Sequence, residues 1–221
     1  MSPHFRAVCF DHDGTLVDSE PIHFRLWRDV LVPHGVTLTE AQYKERYSGV
    51  PTLANAQDLV ARHDLAVPVE ALALAKHQAM SEFVTRAAFP LLPGVAEAVA
   101  RLHADGLRLA VVTGTARISI DATLREHGLA RYFETVVAAE DVVRNKPAPE
   151  GYLLAARRLG LAPAQCVAIE DTEHGVNAAA AAGVACVAVP HAMSRHHDFA
   201  RATVVTASLP EAVAWIEARA G

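Results

Sequence analysis

The hydrophobic positions of the chain fall into two different patterns. In the C-terminal half, helical stretches end at a glycine and an apolar run follows after a short gap. These glycines are at positions 106, 128, 160 and 183. Glycine suits the left-handed conformation just past a helix end. Apolar runs without polar alternation are typical of parallel strands covered on both faces. With an opening strand at 6–10, the pattern predicts a doubly wound, mostly parallel α/β sheet.

Residues 16–89 do not follow this pattern and contain no strand-like run. Helices are predicted over residues 21–31, 40–47, 52–63 and 69–87, and Leu72, Met80, Phe83 and Val84 form the apolar face of the last. We therefore predict a core of residues 1–15 and 90–221, with a helical cap of residues 16–89 inserted after strand one. At this point of an open α/β sheet, the insertion is expected above the carboxyl ends of the strands, where ligands bind.

Composition and charge narrow the classes of function. Hydrophobic residues make up 52% of the chain, and the net charge is −5. A mildly acidic protein has no general attraction for nucleic acid or an anionic membrane, so we expect a small substrate in a local site. Cys9, Cys166 and Cys186 each lie in an apolar run. They are predicted to be buried free thiols, which fits a cytoplasmic protein.

Polar residues follow four of the predicted strands and are expected to meet at one edge of the sheet. They are Asp11-His12-Asp13-Gly14-Thr15, Thr113-Gly114-Thr115, Glu140-Asp141 with Asn145-Lys146-Pro147, and Glu170-Asp171. Several carboxylates can stay ionised in a small volume only if a cation neutralises them. Oxygen ligands without clustered histidine or cysteine select Mg²⁺. A lysine and glycine N–H groups at the same edge are suited to binding phosphate.

Four segments of the chain, in this order, match a known set of motifs. They are FDHDGTLVDSEPIH, VVTGT, NKPAPEGY and AIEDTEHGVNAA. They resemble the four motifs of the haloacid dehalogenase superfamily, and the helical insertion resembles its helical-cap branch. That branch includes phosphoglycolate phosphatases, sugar-phosphate phosphatases and β-phosphoglucomutases.

The resemblance implies a role for each matching residue. Asp11 corresponds to the nucleophile that forms an aspartyl-phosphate, and Asp13 to the group that protonates the leaving oxygen and then activates water. Thr113 and Gly114 correspond to the phosphate clamp. Lys146 corresponds to the lysine that stabilises the phosphoryl charge and orients Asp11.

The same resemblance implies a Mg²⁺ site. The side chain of Asp11, the main-chain carbonyl of Asp13 and the side chain of Asp171 correspond to ligands. Glu170 is expected as a ligand or as a neighbour of the ligands. The implied activity is a Mg²⁺-dependent phosphatase that hydrolyses a small phosphorylated metabolite, either a sugar phosphate or phosphoglycolate.

Other activities of related folds are less compatible with the sequence. Haloacid dehalogenases and phosphonatases lack an aspartate at the position of Asp13, which favours phosphoryl transfer. A β-phosphoglucomutase-like mutase is the main alternative, but such mutases carry a lysine and an arginine where Ser48 and Thr52 stand. The non-enzyme alternatives are a phospho-accepting receiver domain, which lacks the insertion, and an inactive binding relative.

Several residues have weaker signals. Four candidates for substrate contacts are His23, Trp27, Gly49 and Arg117. For His23 and Trp27 the alternative is packing within the cap, and for the loop of Gly49 it is a plain interhelical turn. The loop that carries His191, His196 and His197 is interpreted as solvated rather than as a zinc site. His12 stands where the family often has an apolar residue, and its side chain is expected to have little chemical effect.

Overall fold

The computed structural model describes residues 4–220, and within them the strands form one parallel sheet. The strands are β1 (Ala7–Phe10), β2 (Arg108–Val112), β3 (Phe133–Val137), β4 (Cys166–Glu170), β5 (Ala185–Ala188) and β6 (Val204–Val205). Their order is β3-β2-β1-β4-β5-β6. Because the order extends in opposite directions from β1, the predicted doubly wound α/β class is confirmed.

The helices connect the strands and also fill the insertion. Between and after the strands lie α5 (Val95–Ala104), α6 (Arg117–Glu126), α7 (Glu150–Arg158), α8 (Glu173–Ala182) and α9 (Leu209–Glu217). The insertion holds α1 (Glu20–Leu31), α2 (Glu40–Arg46), α3 (Thr52–His63) and α4 (Val69–Arg86). No helix among residues 4–220 combines the length and apolar content needed to cross a membrane.

The four central strands, β1, β2, β4 and β5, are buried on both faces, which explains why they are continuously apolar. On one face, Cys9 and Ala168 pack in a cluster with residues of α7 and α8. On the other face, Val8, Phe10 and Leu109 are also fully buried. The three cysteines lie in β1, β4 and β5, where they are buried and free, as predicted.

One predicted strand was misplaced along the sequence. The pattern put a strand at 135–139, whereas β3 spans Phe133–Val137. The chain then forms a 3₁₀ turn at Ala139–Asp141, stabilised because the Ala138 N–H donates to a carboxylate oxygen of Asp141 at 2.8 Å. Ala138 still has an extended backbone, but the apolar residue Ala139, which continues the strand pattern in sequence, already belongs to the 3₁₀ turn.

The described chain divides into two compact units. One unit runs up to Asp18 and resumes at Pro90, and the other spans Ser19–Phe89. At the points where the sheet unit is interrupted, the two chain segments pair with each other. Val17 and Leu91 form an antiparallel bridge, and the Asp18 N–H donates to the Pro90 carbonyl at 3.0 Å.

The helical unit has its own core. Buried apolar side chains from its four helices form one cluster, which includes Trp27, Leu31, Tyr43, Leu59 and Leu72. The buried face of α4 differs from the predicted one. Leu72 and Val84 are buried, but Met80 and Phe83 are only half-buried and Lys76 is buried with 1% exposure.

Lys76 is an unusual member of this core. Its Nζ lies 3.4 Å from Nδ1 of His23 and 5.7 Å from the ring centroid of Trp27. Burial lowers the pKa of Lys76 to about 8, and the nearby carboxylate of Glu20 opposes that shift. The lysine is therefore charged at neutral pH at a cost in stability.

The buried lysine predicts a pH-dependent stability. Between about pH 8 and the ordinary lysine pKa of about 10.4, the unfolded chain holds a proton that the folded protein has released. Stability therefore rises with pH through this window, by on the order of 3 kcal/mol for this group. We expect Lys76→Met to remove that rise in urea unfolding between pH 7 and 10. Lys44→Met, which changes an exposed lysine of α2, is the control. Parallel curves for wild type and Lys76→Met would contradict the prediction.

Candidate active site

The carboxyl edge of the sheet brings the predicted motif residues together. Asp11 directly follows β1, and its N–H donates to the Ile169 carbonyl of β4 at 3.0 Å. Thr113 directly follows β2, and its N–H donates to the Val137 carbonyl of β3 at 3.0 Å. Glu170 is the last residue of β4. The strands thus fix the starting positions of the first, second and fourth motifs.

Lys146 lies between two buried carboxylates. Its Nζ is 2.5 Å from Oδ1 of Asp11 and 2.6 Å from Oε1 of Glu170. Asp11 is 6% exposed and Glu170 is fully buried. The lysine joins the segment after β3 to the ends of β1 and β4, so the third motif is held to the first and fourth by charge-assisted hydrogen bonds.

Burial and crowding perturb these groups in a consistent direction. Burial raises the pKa of Asp11 well above its usual range, Lys146 opposes this shift, and Glu170 and Asp171 add to it. Burial likewise raises the pKa of Glu170. Burial alone would lower the pKa of Lys146, but the attraction of Asp11 and Glu170 outweighs it and the pKa is raised. One lysine therefore offsets only part of the cost of ionising these carboxyl groups.

Glu170 is held by two residues of the matched segments, Tyr152 and Gly175, to which the resemblance assigned no role. The hydroxyl of Tyr152 on α7, which is 1% exposed, donates to its Oε1. A Cβ built on Gly175 of α8 would lie 1.9 Å from its Oε2, so glycine is required for the helix to pass the carboxylate. Tyr152 ends the matched segment NKPAPEGY but was assigned no role, because a buried aromatic residue on a helix is usually a packing residue.

Asp11, Glu170 and Asp171 form an acidic cluster. One carboxylate oxygen from each lies within 4.8 Å of the others, an arrangement that could hold a metal ion. Oε2 of Glu170 and Oδ1 of Asp171 are buried and have no hydrogen-bond partner among residues 4–220. Buried carboxylate oxygens without a partner are costly, and a bound cation would satisfy them.

Asp13 lies beside this cluster with a different environment. Its Oδ2 accepts a hydrogen bond from the Thr115 hydroxyl and lies 3.2 Å from Nδ1 of His12. Its side chain is 30% exposed, whereas His12 is fully buried and its Nε2 lies 3.2 Å from Oγ1 of Thr123 on α6. The sequence predicted little effect of the His12 side chain, but it contacts the Asp13 carboxylate directly.

The second motif lies next to the third. Thr113 does not cap a helix, because α6 begins only at Arg117. Its Oγ1 instead accepts a hydrogen bond from the Thr115 N–H at 3.1 Å. A Cβ built on Gly114 would lie 3.9 Å from Oδ1 of Asn145. The backbone at Gly114 is therefore close to the segment that carries Lys146.

The acidic pair after β3 does not join the cluster, contrary to the sequence expectation. Asp141 accepts from Arg117 Nη2 at 2.5 Å and from Arg158 Nη2 at 2.9 Å. Burial alone would raise the pKa of Asp141, but the Ala138 N–H and the two guanidinium groups lower it to about 2. Glu140 accepts from the Arg117 N–H. Arg117, a candidate for substrate contact, is thus committed to these partners and to the Val136 carbonyl.

The remaining candidates for substrate contact, Trp27, His23 and Gly49, lie in the helical unit and contact other residues of that unit. Trp27 is 1% exposed and belongs to the core of that unit. The ring of His23 is stacked parallel to that of Phe89 at a centroid distance of 6.1 Å. The Gly49 N–H donates to Oε1 of Glu20 at 3.1 Å. Within this unit, these three residues have packing and hydrogen-bonding roles.

The interpretation of the histidine-rich loop as solvated holds for only part of it. His196 is exposed, as expected. His191 is different, because its Nε2 lies 2.9 Å from Oδ2 of Asp171, a member of the acidic cluster. No pattern in the sequence indicated this contact, because a loop has no periodicity and His191 follows β5 rather than the motif that contains Asp171.

Comparisons with curated proteins identify relatives along nearly the whole chain. Over 190 residues the chain is 37% identical to fructose-1-phosphate phosphatase YqaB of Escherichia coli, covering 86% of this chain and 98% of that protein. It is 32% identical over 216 residues to the phosphorylated carbohydrates phosphatase of Thermotoga maritima, covering 94% of this chain and 95% of that protein. Both relatives are named as phosphatases.

A solved structure and a family model agree with these relatives. The crystal structure of a CbbY variant from Rhodobacter sphaeroides in complex with xylulose 1,5-bisphosphate superimposes with a TM-score of 0.77 at 29% identity. The match covers 94% of this chain and 96% of that one. The family model of the haloacid dehalogenase-like hydrolases matches residues 5–183. The chain therefore belongs to the haloacid dehalogenase-like hydrolase family.

Proposed function

We propose that this protein is a Mg²⁺-dependent phosphatase that hydrolyses the phosphate monoester of a small carbohydrate through a covalent phosphoryl group on Asp11. The observation that carries the proposal is the ion pair of Lys146 with Asp11 at the edge of an acidic cluster. Phosphatases of this family that act on phosphorylated carbohydrates are among the relatives of the chain.

Asp11 is the proposed nucleophile. Its carboxylate attacks phosphorus, and the bond from phosphorus to the leaving oxygen breaks, so that a hard displacement becomes two easier steps. An attacking carboxylate must be ionised, but burial favours its neutral form. Lys146 keeps a positive charge 2.5 Å from Oδ1 and stabilises the ionised nucleophile.

Asp13 is the proposed general acid and base. It donates a proton to the leaving alkoxide in the first step. In the second step it removes a proton from the water that attacks phosphorus, while the bond from phosphorus to the Asp11 oxygen breaks and inorganic phosphate is released. The Thr115 hydroxyl and the His12 ring both contact its Oδ2. These contacts hold the carboxyl group in one orientation while its partial exposure leaves it accessible to a substrate.

The donor set at the acidic cluster fits Mg²⁺. Asp11 and Asp171 would hold the ion through side-chain oxygens, Asp13 through its main-chain carbonyl, and Glu170 would contribute charge or an oxygen. Of these, Asp171 offers a buried Oδ1 that has no hydrogen-bond partner among the described residues. When bound, Mg²⁺ supplies positive charge that neutralises the carboxylates and screens the phosphate from the nucleophile.

Hydrolysis is favoured over mutase chemistry by the loop between α2 and α3. A mutase must hold a bisphosphate at both ends, and the related mutases have a lysine and an arginine in this loop. Here the corresponding residues are Ser48 and Thr52, neither of which carries a charge.

A panel of phosphorylated metabolites assayed with Mg²⁺ tests the proposal. We expect inorganic phosphate to be released fastest from sugar and sugar-alcohol monophosphates, with phosphoglycolate as a comparison within the panel. Chelation of Mg²⁺ is expected to abolish release, because the crowded carboxyl groups then repel the phosphate. Conversion of glucose 1-phosphate to an isomer with negligible phosphate release would replace the phosphatase assignment with a mutase.

A further inference from the structure

His191 approaches the acidic cluster from the neighbouring strand. It follows β5, which pairs with β4, so the loop after β5 reaches the same edge of the sheet as Asp171. Nε2 of His191 lies 2.9 Å from Oδ2 of Asp171. A Cβ built on Gly14 would lie 2.2 Å from that same Oδ2 and 2.9 Å from Nε2. The absence of a side chain at Gly14 thus lets the first motif pass close to this contact.

The opposite side of the ring fixes the tautomer. Nδ1 of His191 accepts the backbone N–H of Met193 at 3.2 Å. A backbone N–H can only donate, so Nδ1 of the neutral ring carries no proton and the proton is on Nε2. The Nε2–H group of His191 therefore donates its hydrogen bond to Oδ2 of Asp171.

The turn around His191 holds the ring in place. The His191 N–H donates to Oγ of Ser194 at 3.2 Å, and the N–H groups of Ser194 and Arg195 donate to the His191 carbonyl at 3.0 Å each. Ser194 is 2% exposed although its side chain is polar. These bonds make the loop a defined support rather than a solvated segment.

We propose that His191 is a positioning residue for the metal ligand Asp171. Its Nε2–H occupies Oδ2 and so directs Oδ1, which is buried without a hydrogen-bond partner in the described part of the chain, toward the cation. Hydrogen bonds to a ligating carboxylate fix its orientation, and their loss typically lowers metal affinity about 10–100-fold. The inference rests on the cation site of the proposed function.

Two substitutions separate this role from a purely structural one. His191→Gln keeps an N–H donor at nearly the position of Nε2, whereas His191→Phe keeps a ring but removes the donor. His196→Phe changes an exposed histidine of the same loop and serves as the control. The readout is the affinity of the substrate-free protein for Mg²⁺ alone, measured by titration calorimetry, with thermal unfolding to verify folding.

We expect His191→Phe to weaken Mg²⁺ binding about 10–100-fold, and His191→Gln and His196→Phe to stay within about threefold of wild type. At saturating Mg²⁺ the KM of the His191→Phe enzyme should equal that of wild type. Wild-type affinity in His191→Phe would overturn the inference and leave the proposed function intact. Equal loss in His191→Phe and His191→Gln would also overturn it, because the effect would then not depend on the N–H donor.

The position of the imidazole proton of His191 can be measured on the wild-type protein. In the ¹⁵N spectrum of the imidazole, the proton of neutral His191 should be on Nε2, with Nδ1 unprotonated. A proton on Nδ1 would contradict the donation to Asp171. A wild-type protein that binds no Mg²⁺ would overturn both the cation site and this inference, which distinguishes that failure from the failure of the His191 role alone.

Discussion

Replacing Asp11 with asparagine is expected to lower the rate of phosphate release by at least about 10⁴-fold, the largest effect of any single change in this protein. The two side chains have nearly the same shape, and the amide oxygen can still accept from Lys146, which lies 2.5 Å from Oδ1 of Asp11. The fold should persist, so the loss reports the chemistry. An uncharged amide is a poor nucleophile for phosphorus, and no other described residue places a carboxylate at the position of the Asp11 side chain.

The measurement is phosphate release with Mg²⁺, combined with intact-protein mass spectrometry of acid-quenched samples. Wild type should carry one added phosphoryl group in a fraction of molecules, and Asp11→Asn should carry none. Asp121→Asn, which changes an exposed aspartate of α6, should leave both results unchanged. Activity of Asp11→Asn above about one hundredth of the wild-type rate would rule out Asp11 as the nucleophile.

Replacing Asp13 with asparagine should separate the two chemical steps. With a carbohydrate phosphate, loss of the general acid and base is expected to lower turnover by about 10²–10⁴-fold. With p-nitrophenyl phosphate, the leaving group needs no proton, so transfer to Asp11 should remain fast. Hydrolysis of the phosphorylated enzyme still needs a base and should be slow. The variant should therefore release about one p-nitrophenolate per active site in a burst, followed by a slow phase.

Rapid mixing in a stopped-flow instrument measures this burst directly. Asp11→Asn is the matched control, because it lacks the nucleophile and should give no burst at all. A single slow phase in Asp13→Asn, without a burst, would show that Asp13 acts before the leaving group departs even when no proton is required. That result would remove the assigned acid–base role and leave a purely structural one.

The sheet and the site residues at its edge were predictable because both follow from patterns among residues that are close in sequence. Apolar runs after helix-ending glycines located the strands, and parallel strands present their carboxyl ends at one edge. Asp11, Thr113, Lys146 and Asp171 each follow or end such a run or lie close behind it in sequence. Their positions therefore followed from the order of the elements, before any side-chain contact was known.

Other parts of the site depend on contacts between residues distant in sequence. Asp141 was predicted to be one more carboxylate of the cluster, but it forms ion pairs with Arg117 and Arg158 instead. Lys76 is not among the residues predicted to form the apolar face of α4, yet it is buried in the helical unit. Periodicity reports which side of a helix is apolar on average, and it does not report which charged side chain the tertiary structure encloses.

The pairing between Val17 and Leu91 has a consequence for how such a protein can evolve. Because the chain leaves and re-enters the sheet unit through two adjacent, hydrogen-bonded segments, the ends of the insertion are fixed close together whatever lies between them. The entropic free-energy cost of closing a longer segment grows only slowly, by about 0.6 kcal/mol for each doubling of its length. Duplication, exchange or loss of helices in the insertion would therefore leave the register of β1 untouched. Catalytic chemistry at the strand edge and the contents of the insertion can diversify at separate rates.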